Sequence, residues 1–76
     1  MADLLAWIVR QLVDEPDAVR VETEERDDAT VLRLHVAEGD VGKVIGRQGR
    51  LARALRTVVR ASGARAGRRH VLEIVD

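Results

Sequence analysis

In the run VGKVIGRQGR, residues 41 to 50, Gly46 and Gly49 enclose Arg47 and Gln48, and Lys43 and Arg50 flank them. A glycine costs roughly 1 kcal/mol in a helix interior, yet helix-forming residues surround both. The pair marks a point where the backbone does something that a Cβ would prevent. If one helix ends at Gly46 and another begins near Gly49, the first N–H groups of the second lack intrahelical acceptors, and the positive end of its macrodipole adds to them. Such a turn suits an anion such as phosphate, with Lys43, Arg47 and Arg50 supplying charge around it. Glycines on both sides of the two-residue tip let a ligand backbone come close.

The elements that must position this turn can be read on either side of it. Leu4, Leu5, Ile8, Val9 and Leu12 follow helical spacing and predict an amphipathic helix over 3–13, stopped by Pro16. Val19, Val21 and Thr23 alternate with charged residues, as do Leu32, Leu34 and Val36, with Asp27-Asp28 as a turn between them, so residues 18–37 predict a β-hairpin. Asp40 is placed to cap a short helix over 41–45 that Gly46 ends. A second helix starts near Gly49 or Arg50 and runs to about Ser62, with Gly63 as its stop. Residues 64–69 read as a basic loop and 70–75 as a last strand. The order α-β-β-α-α-β predicts one α+β domain over residues 1–76, a three-stranded sheet with helices packed on one face.

At about 100° per residue, Leu51, Leu55, Val58, Val59 and Ser62 share one side of the helix that follows the turn, with Arg53, Arg56 and Arg60 opposite and Arg50 at the edge. No carboxylate lies in that helix to pair with them. The formal net charge of zero conceals this division. Residues 1–40 carry four basic and eleven acidic groups, a balance of −7, whereas residues 41–76 carry nine and two, a balance of +7. Asymmetry of this kind points to a surface that faces a polyanion. The blander reading is that the halves neutralise each other across the fold.

Several function classes find no support. With no cysteine and only His35 and His70, neither a disulfide framework nor a Cys/His metal site is expected, and the two histidines read as structural or surface residues. No Walker motif occurs, and the carboxylates between Glu22 and Asp28 have no nucleophile or oxyanion donor beside them, so no enzyme and no cofactor are expected. The N-terminal apolar run, broken by Arg10 and Gln11, fits neither a signal peptide nor a membrane span, which predicts a cytoplasmic protein without membrane contact. Trp7, the one aromatic residue, lies about 140° from the centre of its helix's apolar face, a position that favours a partner or dimer interface over partial core burial or stacking on a base.

VIGRQG between two helices, in the α-β-β-α-α-β order, resembles a type II KH domain, whose GxxG loop clamps the backbone of about four nucleotides of single-stranded RNA or DNA. QLVDEP at 11–16, VGKVIGRQGR at 41–50, ALRTVVRA at 54–61 and VLEIVD at 71–76 are similar to the small bacterial stand-alone KH proteins of the KhpA (YlqC-like) group. The resemblance covers essentially the whole chain. It implies a phosphate-backbone clamp at Gly46, Arg47, Gln48 and Gly49, an apolar groove for bases at Val44 and Ile45, and Lys43, Arg50 and Arg53 beside the strand's path. It also implies a non-catalytic single-stranded RNA-binding protein, a post-transcriptional regulator or RNA chaperone, working as a homodimer or beside a larger Jag-like KH protein in the control of cell elongation or division. The alternatives are an assembly module with secondary RNA contact, and a preference for single-stranded DNA, because the loop grips phosphate rather than the 2′-OH.

Overall fold

The computed structural model describes residues 1–75, and the predicted order of elements is observed in them. Helix α1 spans Ala2–Arg10, strands β1 and β2 span Arg20–Glu25 and Ala29–His35, helices α2 and α3 span Val41–Ile45 and Arg50–Ala66, and strand β3 spans Arg69–Val75. The sheet order is β1-β2-β3. β1 and β2 are antiparallel because a two-residue turn joins them, the Arg26 N–H donating to the Ala29 carbonyl (2.8 Å) across Asp27-Asp28. β2 and β3 are parallel because α2 and α3 carry the chain back over the sheet between them.

Period-two alternation gives the sheet two unlike faces. Val21, Leu32, Leu34, Leu72 and Ile74 meet Leu5, Val9, Val44, Leu55 and Val59 in the core, so the helices pack on one face of a mixed three-stranded sheet. The opposite face carries charge. There the Arg33 guanidinium lies 2.8 Å from Glu24 and 3.4 Å from Glu73, and His35 faces Glu22.

The helices bury narrower stripes than their apolar residues predict. Leu5, Ala6 and Val9 are buried on α1, and Ala52, Leu55, Val59 and Gly63 on α3, whereas Leu4 and Leu12 are exposed and Val58 is 45% exposed. Small residues (Ala6, Ala52, Gly63) take part in both buried stripes, which lets the helices sit close and turns the larger side chains at the stripe edges toward water.

Helix α1 ends at Arg10, three residues short of the predicted Val13, and Asp40 explains why. Asp40 occupies the N-cap position of α2, but its side chain caps nothing there. Its carboxylate, 2% exposed, instead accepts the backbone N–H groups of Asp14 (3.2 Å) and Glu15 (3.0 Å). This clamp ties the exit of α1 to the entry of α2 and leads the chain into Pro16, the first residue of a 3₁₀ turn over Pro16–Ala18. Asp40→Ala is expected to lower unfolding free energy by about 2 kcal/mol, since two donors lose a charged acceptor. Asp40→Asn, which keeps one acceptor oxygen, should lose less. Urea denaturation gives both values, and an unchanged midpoint for Asp40→Ala would mean that the clamp contributes nothing.

Helix α3 passes through Gly63, the predicted stop, and continues to Ala66 before Gly67 (φ 70°) closes it. The glycine at 63 answers a packing demand instead. A Cβ there would stand 2.4 Å from the Arg68 carbonyl oxygen and 2.6 Å from the His70 nitrogen, so only glycine lets β3 begin directly against the helix. The predicted loop over 64–69 shrinks accordingly to Gly67-Arg68. Arg68, whose charge suggests no more than a general field, is a structural residue. Its guanidinium donates to Thr30 Oγ1 (2.8 Å) and to the carbonyls of Ala29 (3.0 Å) and Arg26, pinning the hairpin turn to the start of β3.

Candidate nucleic-acid interface

The Gly46–Gly49 turn contains three left-handed residues out of four. Gly46 adopts φ 76°, ψ 174°, a region essentially restricted to glycine, and Gly49 adopts φ 73°, ψ 13°. Gln48, between them, holds φ 56°, ψ 25°. For a residue with a Cβ this costs roughly 1 to 2 kcal/mol. Strain held by a surface residue in such a turn is characteristic of binding loops, and spacing alone gives no sign of it.

The two glycines answer different demands. A Cβ on Gly46 would stand 2.8 Å from Leu51 Cβ, so its absence lets α3 pack back against the end of α2. A Cβ on Gly49 would meet nothing within 4 Å. Gly49 therefore presents bare main chain outward, and it is also the left-handed N-cap of α3, with no side chain capping the helix's first N–H groups. Gly49 N–H itself donates to the Gly46 carbonyl (3.1 Å), closing the turn.

The residues around the turn divide by exposure. Val44 is 0% exposed and belongs to the core, whereas Ile45 is 38% exposed and carries the apolar surface next to the loop. Of that pair, only Ile45 is placed to touch a base. Arg47, Gln48, Arg50 and Arg53 are exposed, with the Arg50 guanidinium near Gln48 Oε1 (3.4 Å). Lys43 turns the other way and pairs with Asp14, whose carboxylate holds the ammonium pKa above its ordinary value. Trp7 is 61% exposed on α1, off the core stripe as its position predicts.

Ion pairing sorts the cations more sharply than sequence can. Arg20, Arg26, Arg33, Lys43, Arg68 and Arg69 each lie within 4 Å of a carboxylate. Arg47, Arg50, Arg53, Arg56, Arg60 and Arg65, all on the turn or on α3, have no such partner among the described residues. Neutralisation between the halves is thus real but partial. Apart from Arg10 on α1, whose guanidinium donates to the Val19 carbonyl (3.4 Å), what it leaves is a strip of uncompensated positive charge along the turn and α3, an arrangement suited to a polyanion.

Sequence reasoning assigned Asp40 to a helix cap and missed its clamp on Asp14 and Glu15, the packing role of Gly63 and the anchoring by Arg68. A buried aspartate gives itself away only through its partners, which here are 25 and 26 residues distant. Among the described residues no cluster of His, Cys, Asp and Glu could hold a metal ion, and no helix is long and apolar enough to cross a membrane.

The family model described as KhpA/KhpB, KH domain, matches residues 2–74. Among similar proteins, "RNA-binding protein KhpA" of Bacillus subtilis is 49% identical over 76 residues, covering 100% of this chain and 94% of that protein. The protein of the same name from Borreliella burgdorferi is 47% identical over 74 residues, covering 97% and 90%. That from Treponema pallidum is 49% identical over 74 residues, covering 97% and 92%.

Proposed function

The chain belongs to the KhpA/KhpB KH-domain family, and from that premise we propose that it binds single-stranded RNA without catalysing a reaction on it. The observation that carries this reading is the strip of unpaired arginines leading away from a glycine turn whose outer face is bare main chain. In this reading phosphates lie against the turn formed by Gly46, Arg47, Gln48 and Gly49, held by the first N–H groups of α3 and by Arg47 and Arg50, with Arg53 one turn along. Ile45 offers an aliphatic surface to one base. Lys43 contributes if the strand's phosphate displaces Asp14.

One exposed aromatic on the whole chain limits stacking energy, so affinity for a single domain should be modest and largely electrostatic. A fluorescence-anisotropy titration of a mixed-sequence single-stranded RNA at several salt concentrations tests this. Three to four phosphate contacts predict a log-log salt slope of about −2 to −3, at about −0.7 per contact for a single strand. A salt-independent affinity, or no binding, would refute the reading. The same titration with DNA of matched sequence decides between RNA and single-stranded DNA.

Pairing with a second KH chain completes the proposal, because linked sites raise effective concentration where one site is weak. Trp7 and Leu4 favour a protein contact on α1. Both are exposed and lie three residues apart, so they share a side of the helix. The partner would be a second copy or a larger Jag-like KH protein, and the pair would act in RNA regulation bearing on cell shape.

A further inference from the structure

Of the seven cations from Lys43 to Arg65, Lys43 alone has a carboxylate partner among the described residues. That partner comes from the other half of the chain, since no Asp or Glu occurs between residues 41 and 72. Asp14 lies beyond the end of α1, and its Oδ2 stands 2.5 Å from Lys43 Nζ. Its place is set from within the fold. The Asp14 backbone N–H donates to the carboxylate of Asp40 (3.2 Å), which is 2% exposed, and Asp40 immediately precedes α2, the helix that carries Lys43. One buried aspartate thus fixes the main chain beside the helix whose lysine an exposed aspartate then neutralises. The outer pair opens readily, because the side chains of Lys43 and Asp14 are 43% and 78% exposed and solvated pairs of this kind contribute little to stability.

Lys43 stands three residues before Gly46, about 4.5 Å of helix rise from the turn at 1.5 Å per residue, a separation that its flexible four-carbon stem can span. An anion at the turn and the Asp14 carboxylate therefore compete for one ammonium group. We infer that Asp14 sets the affinity of the nucleic-acid site, as a built-in anion that occupies Lys43 until a phosphate displaces it; the inference rests on the RNA-binding reading above. Its consequence is the opposite of that expected for a binding residue, because removing this carboxylate strengthens the complex. The domain gives up an ion pair when it binds, and the released carboxylate stays near the strand and repels it. Substitution leaves the Asp40 clamp in place, since Asp40 holds the backbone of residue 14 and not its side chain.

The test titrates a fluorescein-labelled, mixed-sequence single-stranded RNA by anisotropy, at several salt concentrations, into the wild-type chain, Asp14→Asn and Asp14→Ala. Both variants should bind about fivefold more tightly, the effect of one well-solvated charge contact. Their salt slope should steepen by about 0.7 as Lys43 adds one phosphate contact. Adding Lys43→Gln to Asp14→Asn should abolish both changes. Asp17→Asn makes the same change in net charge at an exposed carboxylate three residues on, in no ion pair among the described residues, and should shift affinity by less than twofold. Urea midpoints separate this role from a purely structural one. Variants that lose stability and bind no more tightly than the parent would overturn the inference, as would an equal gain from Asp17→Asn or a gain that survives Lys43→Gln. Failure of the parent and every variant to bind would instead remove the RNA-binding reading, and this inference with it.

Discussion

Arg47→Asp combined with Gln48→Asp is expected to weaken single-stranded RNA binding by about a hundredfold and leave the fold intact. The double change removes one cation and adds two anions at the turn. If each exposed charge contact contributes on the order of 1 kcal/mol, as a few ångströms of well-solvated separation gives, three unit changes amount to about 3 kcal/mol, or roughly two decades in affinity. The backbone should tolerate the substitution. Both side chains are exposed, and aspartate is among the residues that accept the left-handed conformation held at position 48. Anisotropy titration measures the loss, and circular dichroism with analytical ultracentrifugation checks fold and assembly. Should the variant bind RNA as the parent does, the turn is not the site, and α1 with Trp7 becomes the surface to study.

Gly63→Ala is expected to destabilise the domain by about 3 kcal/mol or more, the reverse of what helix propensity predicts. In an exposed helix interior, alanine would add up to about 1 kcal/mol. Here the added methyl would lie 2.4 Å from a carbonyl oxygen, 2.6 Å from a backbone nitrogen and 2.9 Å from His70 Cβ. Two of those atoms are backbone, in the tight connection from α3 to β3, and relieving the overlap means shifting the strand or the helix. A domain of this size has about 4 to 11 kcal/mol in all, so the substitution removes a large share. Gly42→Ala is the internal control. Position 42 lies in α2 with ordinary φ and nothing within 4 Å of the built Cβ, so that change should be neutral or slightly stabilising. Urea midpoints of the two variants settle the matter, and a Gly63→Ala protein as stable as its parent would show that the helix-strand approach yields readily.

Much of this architecture is legible in a single sequence because its signals are local. The alternation in Leu32, Leu34 and the neighbouring strand, the two-residue Asp27-Asp28 turn, and the apolar spacing in α1 and α3 each involve residues within a few positions of one another. The charge division is legible too, being a matter of counting. Where local reading went astray, a distant residue had intervened. Gly63 has the appearance of a helix stop and is a point of contact with His70, while Asp40 has that of a cap and is a clamp on residues 25 and 26 positions earlier.

By itself, then, the amino-acid sequence determined the order of elements, the position of the glycine turn between two helices and the concentration of arginine beyond it, because propensity, periodicity and charge are properties of neighbours along the chain. Tertiary structure alone decided which of those arginines remain unpaired, that Val44 is sealed in the core while Ile45 is exposed, that Gly46 serves packing and Gly49 presents bare backbone, and that Gly63 lies against the start of β3. Each of these depends on which side chains meet after the chain has folded back on itself, and a linear pattern of residues does not carry that information.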